Sequence, residues 1–105
     1  MTQKELKVLQ FISRHIHENE PTAEALLFGS RARGDAKPDS DWDIIIIVST
    51  PKVSEHQFNT LNYDLWAKGI DMGEQINPII YTKKQWEEAS PTLFRYNVNQ
   101  DAIKI

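Results

Sequence analysis

Asp41 and Asp43 stand two residues apart at the entrance to Ile44-Ile45-Ile46-Ile47-Val48, a continuous run of apolar, β-branched residues. In a strand, the period of two puts both carboxylates on one face and Trp42 on the other. Neighbouring carboxylates repel each other unless a cation lies between them, and hard oxygen ligands with room left for water and phosphate describe a Mg²⁺ site. Upstream, Gly29-Ser30 leaves the end of a second apolar run, Ala25-Leu26-Leu27-Phe28. A glycine there permits close approach of a phosphate, backbone N–H groups at a helix start favour an anion, and the Ser30 hydroxyl adds a donor. Each feature alone has a commoner explanation: Gly-Ser after a strand is usually a turn, and an isolated Asp-x-Asp is usually a pair of solvated acids. Their joint occurrence, a phosphate-type turn at one strand end and a carboxylate pair at the next, weakens both explanations. Arg31, Arg33 and Lys37 form the one local basic cluster, of a size to serve a single triphosphate. Arg31 and Arg33 are expected to reach phosphates by forked hydrogen bonds; for Arg33, pairing with Asp35 or a loop carbonyl is an equal alternative.

The elements that must position these residues can be read from periodicity. Leu6, Leu9, Ile12 and Ile16 recur at helical spacing, which predicts an amphipathic helix over roughly residues 2 to 18, broken at Asn19-Glu20-Pro21. A buried strand follows over residues 25–28, then a short helix or turn over 31–35 and a loop at Lys37-Pro38-Asp39-Ser40. Ile44 to Val48 suits a central strand covered on both faces. Phe58, Leu61, Leu65 and Trp66 mark another helix, with an end expected near Gly69. Ile76 to Tyr81 reads as a strand, and Pro78 within it requires an edge position or a bulge. Thr82 and Gln85 form a capping box for a helix carrying Trp86, and the tail from Pro91 is expected to end in a short strand at Ala102 to Ile105. The pattern is α+β, a small mixed β-sheet with helices packed on it. Trp66 and Trp86 are expected in the core, Trp42 beneath the sheet, and His15 and His17 on the surface, where they diverge too far to form a zinc pair.

Gly29-Ser30, ten intervening residues and Asp41-Trp42-Asp43 together resemble the G-S-x₁₀-D-x-D signature of the polymerase-β-like nucleotidyltransferases. The fuller stretch, GSRARGDAKPDSDWD, is similar to the minimal nucleotidyltransferase branch, where G-S-x-A-R-G and S-D-x-D are typical. The resemblance implies the small mixed sheet of that family. It assigns phosphate cradling to Gly29 and Ser30 and catalytic metal ligation, with Mg²⁺ as cofactor, to Asp41 and Asp43. It also implies transfer of a nucleoside monophosphate from a nucleoside triphosphate, ATP above all, to a hydroxyl acceptor. One departure stands out. Active members commonly carry a third carboxylate on the strand beside the pair, and the position that looks equivalent is Asn77, which cannot ionise; Glu74 and Asp71 are the other candidates, and both precede the strand. Members of this branch are often paired with a small helical protein of the HEPN type, some acting as antitoxins that add nucleotides to that partner.

The totals narrow the function classes. With 105 residues, one nucleotidyltransferase domain over residues 1–105 is expected, without space for an acceptor-binding domain, so an acceptor site is expected from a partner chain or from a homo-oligomer. Net charge is −3, with 12 Lys and Arg against 15 Asp and Glu, and no basic stripe is visible, which argues against duplex nucleic acid as a partner. No run approaches a membrane span, no signal peptide is visible and there is no Cys, so a cytoplasmic protein without thiolate metal sites is expected. A nucleotide- or partner-binding module of the same fold with little turnover is the competing reading, favoured by Asn77. Tyr63, Trp66, Trp86, Phe94 and Tyr96 are candidates for a contact patch, with most of them expected in the core.

Overall fold

A computed structural model describes residues 1–88 and 92–105; Pro91, the expected start of the tail, lies outside them. Helix α1 (Gln3–Asn19) opens with a full capping box, Thr2 accepting from the Glu5 N–H and the Glu5 carboxylate accepting from the Thr2 N–H. Its stripe of Val8, Ile12 and Ile16 packs on the sheet. Strand β1 (Glu24–Phe28) leads through the single-turn helix α2 (Ser30–Arg33) to β2 (Trp42–Val48). A long helical crossover follows, made of α3 (Glu55–Phe58), a π-helical segment (Asn59–Tyr63) and α4 (Asp64–Asp71). It delivers the chain to β3 (Ile76–Thr82), after which come α5 (Lys83–Glu88), α6 (Leu93–Asp101) and the short β4 (Ile103–Lys104).

The four strands lie in the order β3-β2-β1-β4. β1 is antiparallel to β2 and to β4, whereas β2 and β3 run parallel, which is why a helical crossover must join them. The sheet is mixed and carries helices on it, as the α+β reading expects. Ile44 to Val48 occupy the centre, and Pro78 sits on the edge strand, where its missing N–H breaks no ladder bond. One face of the sheet, with Ala25, Leu27, Trp42, Ile44, Ile46 and Val48, packs against α1 and against Leu61 and Leu65 of the crossover. The other face, with Ile45 and Ile47, is covered by Val98 of α6 and Trp86 of α5. Among the described residues no helix is long and apolar enough to cross a membrane.

Four expectations are corrected. On α1 the buried stripe takes Val8 in place of the expected Leu6, which is exposed; the crossover helix ends at Asp71, near Gly69 as expected, and Gly69 is a packing position, where a Cβ would come within 2.8 Å of Ile76. The wider π-helical turn shifts the phase of the buried face, so Leu61 and Leu65 are buried while Phe58 and Trp66, 41% exposed, turn to solvent. His15 is buried and its Nε2 lies 2.8 Å from the Thr60 carbonyl oxygen, tying α1 to the crossover, while His17 binds the Ser13 carbonyl of its own helix. Of the five aromatic residues expected mostly in the core, Tyr63, Trp66, Phe94 and Tyr96 are exposed, and Trp86 is half-buried against Tyr81.

Candidate active site

The site lies on the α5/α6 side of the sheet, at the end where β1 leaves and β2 enters. Phe28, the last residue of β1, is paired with Asp43. Gly29 then carries the chain out of the strand with φ of +77°, a conformation that L side chains rarely adopt. Its carbonyl accepts from the N–H groups of Ala32 and Arg33, both at 3.0 Å, which starts α2 at Ser30. The turn presses against the carboxylate: a Cβ on Gly29 would lie 2.6 Å from Asp43 Oδ2. The Gly-Ser turn and the second aspartate are therefore immediate neighbours in space, though fourteen positions apart in sequence.

Asp41 and Asp43 share a face, and Trp42 between them is fully buried on the other, as the period of two requires. Across the parallel ladder, Asp43 is paired with Asn77 of β3. The Asn77 amide nitrogen donates to Asp41 Oδ2 at 3.0 Å and, at a long 3.5 Å, to Asp43 Oδ1. Asn77 Oδ1 in turn accepts from Gln75 Nε2 at 2.9 Å, which fixes the orientation of the amide. Burial pushes the Asp43 carboxyl above its ordinary value, and the negative charge of Asp41 adds to the rise; the Asn77 hydrogen bond and the nearby Arg33 charge oppose it. The Asn77 amide presents its nitrogen rather than its oxygen to the pair, and the two carboxylates are the hard oxygen donors at this exposed edge, where the crowding of negative charge is of the kind a cation relieves. As a donor set they suit a hard cation such as Mg²⁺, which takes phosphate and water in its remaining positions. Among the described residues no group of three or more His, Cys, Asp or Glu gathers anywhere, so no third carboxylate joins the pair.

Of the three candidates for the third place, only Asn77 lies beside the pair. Glu74 is buried on the opposite face, where its Oε2 accepts from Trp42 Nε1 at 3.1 Å and faces Arg31 at 3.8 Å, and Asp71 is exposed at the end of α4. The geometry also separates the two arginines. Arg31, expected to reach phosphate, lies on the face away from the pair, its guanidinium buried 4.7 Å above the Trp42 ring. There it pairs with Glu5 at 3.3 Å and donates to the carbonyls of Pro38 and Ser40. Arg33 stays on the Asp43 side, half exposed, held by Asp35 at 3.3 Å and by Asp101 of α6 at 3.1 Å. Lys37 is exposed in the loop before the pair. The roles of Glu74 and Asp101 carried no sequence signal, since each depends on a partner brought close only by the fold.

A family model described as a nucleotidyltransferase domain matches residues 9–104 of this chain, and the chain belongs to that family. Comparison with curated proteins gives no match. Two solved structures share the fold. One is a provisionally assigned nucleotidyltransferase from Sulfolobus solfataricus, 20% identical, with a TM-score of 0.53 over 96% of this chain and 78% of that one. The other is a chain of a toxin–antitoxin complex with AMP-PNP, 19% identical, with a TM-score of 0.60 over 95% of this chain and 70% of that one.

Proposed function

We propose that this chain transfers a nucleoside monophosphate from a nucleoside triphosphate, ATP by preference, to a hydroxyl acceptor. The observation that carries the reading is the contact between Gly29 and Asp43, which puts a phosphate-type turn directly against a carboxylate pair. Gly29 and Ser30 receive the triphosphate, Asp41 and Asp43 hold Mg²⁺, and Arg33 is the arginine on the correct side to add charge. Bound Mg²⁺ supplies neutralisation of the phosphate oxygens. The acceptor oxygen attacks the α-phosphorus, the bond to the bridging oxygen of the β-phosphate breaks, and pyrophosphate departs. Asn77, a neutral amide, cannot take the acceptor's proton, so a base on the acceptor side or water must do so.

The acceptor is read as a partner protein, a small helical chain of the HEPN type. Two observations support this: one fold neighbour is a toxin–antitoxin complex with AMP-PNP, and the aromatics Tyr63, Trp66, Phe94 and Tyr96 are exposed. A cover from such a partner, or from a second copy of this chain, would also exclude water from an otherwise open site. Asn77 favours a second reading, a nucleotide-binding module with little turnover, in which the same site binds the triphosphate without transferring it. Incubation with α-labelled ATP, CTP, GTP and UTP in a native lysate separates the two. Label retained on a discrete protein, dependent on Mg²⁺ and lost in Asp41→Asn/Asp43→Asn, supports transfer; nucleotide binding without any labelled product supports the binding module.

A further inference from the structure

Asn77 is tied to the carboxylate pair in a way that bears on how many cations the site accepts. Its amide nitrogen points between Asp41 Oδ2 and Asp43 Oδ1, at 3.0 and 3.5 Å. The opposite orientation would aim a carbonyl oxygen at two anionic ones, and the Gln75 donor at 2.9 Å on Oδ1 reinforces the observed choice. The partial positive charge of the amide hydrogens thus lies where a cation bridging the pair would lie. A cation that enters must displace these hydrogen bonds, and rotation of the amide then presents Oδ1, a neutral oxygen ligand of the type hard cations accept. A second cation about 3.5–4 Å from the first would have to share the same two carboxylates, with only phosphate and water to complete its shell, unless the protein supplied a further anionic oxygen. Asn77, the β3 side chain beside the pair, is neutral, and Glu74, just before β3, is committed to Trp42 and Arg31 on the other face.

We propose that Asn77 is a positioning residue that holds the place of a cation between Asp41 and Asp43 and restricts the site to one metal ion, which enters together with the triphosphate. This rests on the reading of the pair as the metal site. The free ion binds weakly, since it must displace the Asn77 hydrogen bonds to enter, whereas with the triphosphate the phosphate oxygens complete its shell.

Mn²⁺ serves as the probe, counted by the loss of its free paramagnetic signal, with and without a non-hydrolysable ATP analogue. The wild type should bind one ion per chain with the analogue and bind Mn²⁺ alone only weakly. Asn77→Asp should bind Mn²⁺ alone on the order of tenfold tighter or more, as expected for an added charge at contact distance, and take two ions with the analogue. Melting provides a second readout: in chelator Asn77→Asp should unfold at lower temperature than wild type, because three carboxylates then crowd together, and Mn²⁺ should restore it. Two ions in the wild type, or identical number and affinity in the two proteins together with identical melting in chelator, would overturn the proposal. If Asp41→Asn/Asp43→Asn binds Mn²⁺ and the analogue as the wild type does, the metal lies elsewhere, and the functional reading falls with the proposal.

Discussion

An alanine at position 29 would carry its Cβ to within 2.6 Å of Asp43 Oδ2 on a backbone held at φ +77°. Both the clash and the left-handed backbone penalise it, by about 1–3 kcal/mol for the strain alone, and the displaced carboxylate would no longer face Asp41. Gly29→Ala should therefore lower stability in denaturant titrations and abolish triphosphate binding. Gly34→Ala is the control: its φ of +85° is also unfavourable, but nothing lies within 4 Å of the added Cβ, so it should lose some stability and retain binding. Asp43 itself weighs against the fold when charged. Burial, and then Asp41, raise its carboxyl above the ordinary aspartate value of 3.8, so in metal-free protein the native state holds this proton more firmly than the unfolded chain does. Stability contributed by the protonated form is thus lost as pH rises from that value through the raised one. In chelator at neutral pH, Asp43→Asn should melt above the wild type and show a flatter pH dependence in that window, while losing nucleotide binding. Wild-type melting that is already flat there would contradict the assignment.

Among the elements, α2 and the loop after it decide which arginine stays on the Asp43 side of the sheet. Successive helical residues turn by about 100°, so positions 31 and 33 point about 200° apart, and the sequence alone gives no reason to send one rather than the other inward. The fold buries Arg31 among Trp42, Glu5 and Glu74, with two carbonyls of the loop that leads into Asp41. Arg31→Ala leaves Glu74 buried without its cation and should cost about 3–5 kcal/mol in unfolding experiments; Arg31→Lys cannot restore the forked contacts. Arg33→Ala should leave the melting temperature nearly unchanged and weaken triphosphate binding, the opposite pattern. Equal effects of the two variants on binding and melting would remove this distinction. Where periodicity carried the information, as in β2 and the Pro78 edge strand, the sequence predicted the element; in α1 it predicted the helix but only part of its buried face, since Leu6 is exposed and Val8 and His15 are buried. It missed the crossover's outward Trp66 because the π-helical turn between Phe58 and Leu65 breaks the 3.6-residue period on which the core assignment of that tryptophan depended. The Asp pair and the Gly-Ser turn were legible because local strand geometry fixes them. The fate of Arg31 was not, because Glu5, Trp42 and Glu74 lie far away in the chain.

At the scale of the whole molecule, the sheet divides the labour. One face, with α1 and the crossover, holds the apolar core and the buried Arg31–Trp42–Glu74 group; the other carries Asp43, Asn77 and Arg33, with α6 reaching Arg33 through Asp101. The negative charge of the pair and that of a triphosphate can be reconciled only by a cation, so metal and nucleotide should bind cooperatively, each neutralising what the other brings. Titration calorimetry with a non-hydrolysable ATP analogue measures this cooperativity. Wild type should bind the analogue with Mg²⁺ and far more weakly in chelator, and Asp41→Asn/Asp43→Asn should fold but lose the Mg²⁺-dependent part of binding, on the order of 1–3 kcal/mol for each lost charged partner. Binding of the Mg²⁺ complex by the double variant with wild-type affinity would contradict it.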